Sequence, residues 1–251
     1  MKSMGLITVF SLGLALFQQD DSQEIDRLWQ ETQKAIQKSD HFTAEKQLSA
    51  ILDKQPETSQ AYYYRGRVRF QAGKIQASVA DFDRHVKLSP QLKSRQWERG
   101  ISLYYANQFE QGAQQFEIYQ TYHDNDVENS AWRFLCVARS KNVEAARQNL
   151  LPIANDRRIP MMQIYEMYQG RLSPEKVIQA AEKLPANASQ RNSAKFYAHL
   201  YIGLLYEVQG KKEESFKQIK LAREHKIGHY MWDVANVHQK LRVNPKEKNK
   251  P

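Results

Sequence analysis

From Glu24 onward, apolar residues recur three and four positions apart, with polar residues between them. Ile25, Leu28 and Trp29 open the pattern, Ala35 and Ile36 extend it, and Phe42, Leu48, Ile51 and Leu52 form a second stretch that closes at Pro56. This spacing lays the apolar side chains along one stripe of an α-helix. Proline ends a stretch because its ring blocks the next helical turn. Further helix pairs are predicted in Ser59–Leu92, turning at Gly73-Lys74, and in Lys93–Asp126, turning at Asn107-Gln108. Glu128–Ser140 and Val143–Ile153 read as another pair, joined by Lys141-Asn142, with Asp126 as the expected N-cap of its first helix. A short helix is expected over Pro160–Tyr168. Another should begin at Ser173-Pro174, with the serine as N-cap, and end at Leu184-Pro185. The final helix runs about His229–Leu241.

The second and third units share one period. Gly66 to Gly100, Phe82 to Phe116, and Pro56 to Pro90 all span the same interval. A small residue early, an aromatic late and a proline at the end, at a period of about 34 residues, mark the tetratricopeptide helix–turn–helix repeat. The glycines fall where the second helix of each pair crosses too closely for a side chain, and the phenylalanines should fill the seam against the next pair. The first unit is degenerate, with Thr32 at the small position. The signature fades after Val127 and returns in part with Gly203, Tyr206, Gly210 and Ala222. The expected fold is all-α: a right-handed superhelix of helix pairs, an α-solenoid, with an irregular helical middle and a C-terminal capping helix. Its parts are residues 18–126 (three repeats), 127–185 (irregular helical segment) and 186–242 (returning repeat plus cap), with 243–251 a basic, disordered tail.

Composition adds three constraints. Met4–Phe17 is an uncharged run after Lys2, shorter than the roughly 20 residues of a membrane span. It matches the apolar region of a secretory signal over residues 1–17, with cleavage after Ala15, so export to the periplasm or to a membrane-associated site is expected; an uncleaved N-terminal anchor and a buried N-terminal helix of a cytosolic protein are the alternatives. Residues 1–126 carry 15 Lys and Arg against 16 Asp and Glu, whereas residues 127–251 carry 22 against 12. The basic second half could hold the protein weakly to an anionic membrane or wall polymer. Nucleic acid is disfavoured as a partner, because these cations are not interleaved with a stacking platform. The lone cysteine, Cys136, excludes a disulfide framework or a zinc cluster and is expected to be a small buried hydrophobe.

Helix pairs stacked in series leave a trough lined by their first helices, where extended peptides or helices dock. Counting from the small positions places Tyr63, Arg67, Phe70, Trp97, Ile101, Tyr104 and Tyr105 on that side, aromatic residues with an arginine of the type that carries interface energy. For Phe70 and Tyr104 packing between repeats is the stronger expectation, and for Tyr63, Arg67 and Trp97 exposure in the trough. No phosphate loop, nucleophile elbow or metal-spaced cluster stands out, so neither catalysis nor a cofactor is expected. His225 and His229 have a ligand-like spacing, but Gly228 falls between them.

Arg99-Gly100-Ile101-Ser102-Leu103-Tyr104-Tyr105, with Ala194–Tyr206 and Ala222–His229, resembles the outer-membrane lipoproteins built of tetratricopeptide repeats. The resemblance implies a non-enzymatic envelope adaptor, often homodimeric, that binds peptidoglycan hydrolases and the protease that turns them over. Such lipoproteins carry a cysteine directly after the signal, and no cysteine lies between Met1 and Asp21. Two other readings of the residues stand beside this one: an intracellular basic repeat protein associated with nucleic acid, and a non-catalytic subunit of an enzyme complex.

Overall fold

The computed structural model describes residues 6–184 and 187–242, with side chains from residue 22. Among the described residues every regular element is helical. The pairs are α1 (Leu6–Gln37) with α2 (His41–Lys54), α3 (Ser59–Gln71) with α4 (Ile75–Leu88), and α5 (Trp97–Tyr105) with α6 (Phe109–Gln120). They continue with α7 (Val127–Ser140) and α8 (Val143–Gln148), α9 (Met161–Tyr168) and α10 (Pro174–Glu182), and α11 (Ala188–Val208) and α12 (Lys212–Glu224), before the single helix α13 (Tyr230–Leu241). The result is an α-solenoid. The proposed tail 243–251, residues 1–5 of the signal-like segment and Pro185 lie outside the described residues. No helix among the described residues is long and apolar enough to cross a membrane.

The small-residue rule has a direct cause. A Cβ on Gly66 would stand 3.3 Å from the Phe82 ring, one on Gly100 only 2.6 Å from the Phe116 ring, and one on Gly203 2.9 Å from Ile219. In each case the obstructing side chain comes from the second helix of the same pair. Phe82 therefore seals its own hairpin, whereas the expectation placed it in the seam with the next. Phe116 does both, since it also stacks on Trp132 of α7, ring centroids 6.5 Å apart. The turns share the period too: Ser39, Gly73 and Asn107 recur at the same interval, and all take positive φ (56°, 82° and 62°).

The register of the repeat runs one unit further than the sequence signature. Ile75, Phe109 and Val143 begin the second helices of successive pairs at that spacing. In the unit begun by α7, Phe134 occupies the small position and Leu150 the aromatic one. The bulky Phe134 packs instead against Tyr168 of α9, ring centroids 4.9 Å apart, and α8 ends at Gln148, well before the expected Ile153, with Pro152 close behind. The signature is lost there while the architecture persists. Asp126 caps α7 as expected, its side chain accepting from Glu128 N at 3.1 Å, and Cys136 is buried. Ser173 precedes α10 at the N-cap but makes no side-chain cap bond.

Arginines at 65, 99 and 133 lock consecutive pairs together, each reaching one partner on the helix before and one on the helix after. Arg65 donates to Ser49 Oγ (3.1 Å) and Asp81 (2.8 Å). Arg99 donates to Asp83 (2.7 Å) and Gln115 (3.0 Å). Arg133 donates to Glu117 (2.6 Å) and to the Asn149 carbonyl. The core falls into two clusters: one spans Ile25 to Val68 around Leu48 and Ile51, and a larger one runs from Phe70 to Val237. The boundary passes through α3.

Candidate functional site

The trough expected along the first helices exists, but the chain fills its middle. Helix α13 returns to lie across α3 and α5. It presents Tyr230, Met231, Val234, Ala235 and Val237, all buried. Tyr230 packs on Phe70 (ring centroids 5.6 Å) and on Trp97 (5.5 Å), and His229 stacks on Trp97 at 6.0 Å. Gln71 Nε2 donates to Asp233 (2.7 Å), Lys240 Nζ donates to the Ala72 carbonyl (3.1 Å), and the Tyr105 hydroxyl lies 2.9 Å from His238 Nδ1. A helix laid in a groove with apolar anchors on one face is the geometry by which such grooves take partner helices. Here the occupant belongs to the same chain.

The seven predicted trough residues divide accordingly. Phe70, Ile101, Tyr104 and Tyr105 are core residues, none more than 5% exposed. Phe70 and Tyr104 pack as expected, Trp132 of α7 meeting Tyr104 at 5.5 Å, whereas the placement of Ile101 and Tyr105 on an open docking face is corrected: both are buried, Tyr105 against Trp132 and His238 of α13. Tyr63, Arg67 and Trp97 are half-buried at the rim. The Arg67 guanidinium sits 4.8 Å over the Tyr230 ring, and the Tyr63 hydroxyl donates to Glu98 at 2.7 Å. Burial pushes the Glu98 carboxyl up, against the pull of Arg67 and the Tyr63 bond.

A second polar group fastens the far end of α13. Glu207, on α11, accepts from the Tyr104 hydroxyl (2.6 Å) and pairs with Arg242 (2.5 Å) and Arg139 (3.4 Å). Burial raises its carboxyl, but His238, Arg242 and the Tyr104 bond outweigh that and hold it below the ordinary range. His238, buried beside it, is pushed down to about 4, chiefly by burial.

The trough stays open at its N-terminal end. There Trp29, Thr32, Gln33 and Ile36 of α1 face Gln60 and Tyr64 of α3 around a cleft of about 480 Å³. Trp29 meets Tyr64 edge-on at 6.0 Å, and Ile36 is 36% exposed. Phe42, at the start of α2, is 79% exposed, the most exposed large apolar side chain among the described residues. Counting from the degenerate Thr32 position would have found Trp29 and Gln33; the weak signature of that first unit kept them out of the predicted set. No cluster of metal-ligating residues occurs among the described residues.

Comparison with known proteins is consistent with this architecture. The tetratricopeptide-repeat family matches residues 35–93. A tetratricopeptide repeat protein from Parabacteroides merdae superposes with a TM-score of 0.50 at 15% identity, covering 88% of this chain and 100% of its own. MamA from Desulfovibrio magneticus gives 0.49 at 12% identity, with 80% and 94% covered, and the tetratricopeptide domain of P58(IPK) 0.45 at 12%, with 94% and 70% covered. No curated protein matches the chain. Residues 35–93 thus carry tetratricopeptide-repeat sequence, set in a chain folded as an α-solenoid.

Proposed function

We propose that this chain is a non-enzymatic protein-binding scaffold of the bacterial cell envelope, which takes a partner polypeptide at the open N-terminal end of its trough. The observation that carries the reading is the division of the trough: its middle holds α13, while Trp29, Ile36 and Tyr64 stand in an open cleft among the polar side chains of Asp26, Gln33, Gln37 and Gln60. Large aromatic and aliphatic side chains in a concave patch are the usual anchors of a protein interface. The envelope setting draws on the signal-like residues 1–17 and on the sequence resemblance to the lipoprotein NlpI, which suggests peptidoglycan hydrolases, or a protease acting on them, as partners, and a homodimer as the assembly.

A photo-crosslinking residue placed at Gln33 or Gln60 tests the site in intact cells. Adducts with envelope hydrolases or a protease are expected from both positions and absent from Lys46, which lies outside the cleft. Equal labelling from all three positions would overturn the site, and a full-length protein confined to the cytoplasm would overturn the setting. The basic charge of residues 127–251 favours nucleic acid as a second reading; binding that survives about 0.2 M salt would put it first.

A further inference from the structure

Between α5, α6, α7 and the start of α13 lies a second cavity, of about 240 Å³, which shares Trp97 with the trough rim and Met231 with α13. Its walls are aromatic: Trp97, Phe116, Tyr119 and Trp132. Phe116 and Trp132 are almost fully buried and form the inner side, while His123 and His229 stand at the mouth.

The polar groups are unbalanced in charge. Arg158 is gripped by three carboxylates, pairing with Asp126 (2.7 Å), Glu128 (2.7 Å) and Asp156 (2.6 Å). Two of these carboxylates, Asp126 and Glu128, line the cavity against the one Arg158 guanidinium, and His229 is held down by partial burial and by Arg67 and Arg158. Burial, then the charge of Asp126, pushes the Glu128 carboxyl up to about 7, against the pull of Arg158 and of the Tyr201 hydroxyl, which donates to it at 2.7 Å.

Two buried lining side chains, each 2% exposed, also carry polar atoms without a protein partner. Asn129 gives its Nδ2 to Gln120 (2.8 Å) and leaves Oδ1 unpaired. Trp132 Nε1 is a donor with no acceptor. Buried polar atoms are ordinarily satisfied, and these two belong to residues that line the cavity.

We infer that this cavity binds a small organic ammonium ion, held by the aromatic walls and the Asp126–Glu128 carboxylates, with an oxygen acceptor on the ligand facing Trp132 Nε1. Aromatic faces attract cations through their ring quadrupoles and do so most strongly where water is excluded. An ammonium N–H, or a polarised N–CH₃, also suits the free Asn129 oxygen. The same chemistry is offered by a free amine or amino alcohol and by a lysine side chain of a bound protein. The inference stands independently of the cleft at the N-terminal end.

The test titrates the unmodified full chain and follows tryptophan fluorescence, since Trp97 and Trp132 line the cavity. The probes are choline, tetramethylammonium, 3,3-dimethyl-1-butanol as the uncharged isostere of choline, and Nα-acetyl-lysine amide. Saturable binding of choline is expected, with tetramethylammonium weaker for want of the hydroxyl and the isostere at least tenfold weaker than choline. Binding of the lysine derivative as tightly as choline would assign the site to a protein side chain; choline alone would assign it to a free small molecule. Glu128→Gln should lose about tenfold in choline affinity with helicity unchanged, whereas Asp124→Asn, exposed and outside the cavity, should lose none. No saturable binding of either ammonium probe into the millimolar range, or an isostere as tight as choline, would overturn the inference.

Discussion

A missing side chain and a ring on the facing helix set the packing of each hairpin, and the two must be judged together. Gly100 leaves 2.6 Å to the Phe116 ring for a would-be Cβ, and that ring is backed by Trp132. Gly100→Ala should therefore cost about 1–3 kcal/mol of overpacking, offset in part by the ~1 kcal/mol that alanine gains over glycine in a helix. Gly66→Ala, with 3.3 Å available, should come out near neutral. Urea denaturation of both variants checks the order; a Gly100→Ala protein as stable as the parent would show that the Phe116 ring yields. Two tyrosines beside α13 give an opposite pair. The buried Tyr230 hydroxyl has no protein partner, so Tyr230→Phe should hold or raise stability. Tyr105→Phe gives up the His238 contact and should cost about 1 kcal/mol in the same assay. The glycines and phenylalanines were legible in the sequence because the period repeats them. The arginines at 65, 99 and 133 share that period and were equally visible, but only their partners on the flanking helices reveal what they do.

At the level of the helix, what a face touches is decided by elements far along the chain. Periodicity placed Tyr63, Arg67 and Trp97 exposed in the trough, yet nothing local to them announces that Tyr230 and His229 will arrive from the other end of the array and leave them half-buried at its rim. A capping helix was expected at the end of the array; that it lies against α3 and α5 as well as α12 depends on the curvature of all the pairs between. The register of α7 and α8 escaped for the opposite reason: the spacing is intact, but Phe134 and Leu150 have exchanged the usual sizes. The seat of α13 should depend on pH through His238. In the unfolded chain this group takes a proton as pH falls through about 6.5, whereas in the folded protein burial delays protonation to about 4. The unfolded state binds more protons across that window, so stability should fall on acidification between about 6.5 and 4. His238→Gln removes the titrating group. Its thermal midpoint should fall less steeply with acid than the parent's, and parallel curves for the two proteins would exclude His238 as the source.

Across the whole molecule, the two ends of the array are held very differently. Stacked repeats contact only their neighbours and ordinarily come apart from either end. Here the last helix is tied into the middle by Gln71–Asp233, Lys240–Ala72 and the Arg242–Glu207 pair. The first unit acts on α13 through the charge of His41 near Asp233, and the core it shares with α3, Ile25 to Val68, is separate from the larger one. Tension applied through the two termini would accordingly meet a lopsided object. In an optical trap, α1 and α2 should peel away as a small early extension at low force, and the remainder should give way in one large rip. Two rips of similar size, or an early loss of α13, would mean that its seat is weaker than its contacts imply. A molecule of this kind yields at one chosen end, the same end that carries the solvent-facing cleft, so a tug on its leading segment would disassemble the proposed docking surface while leaving the rest of the body whole.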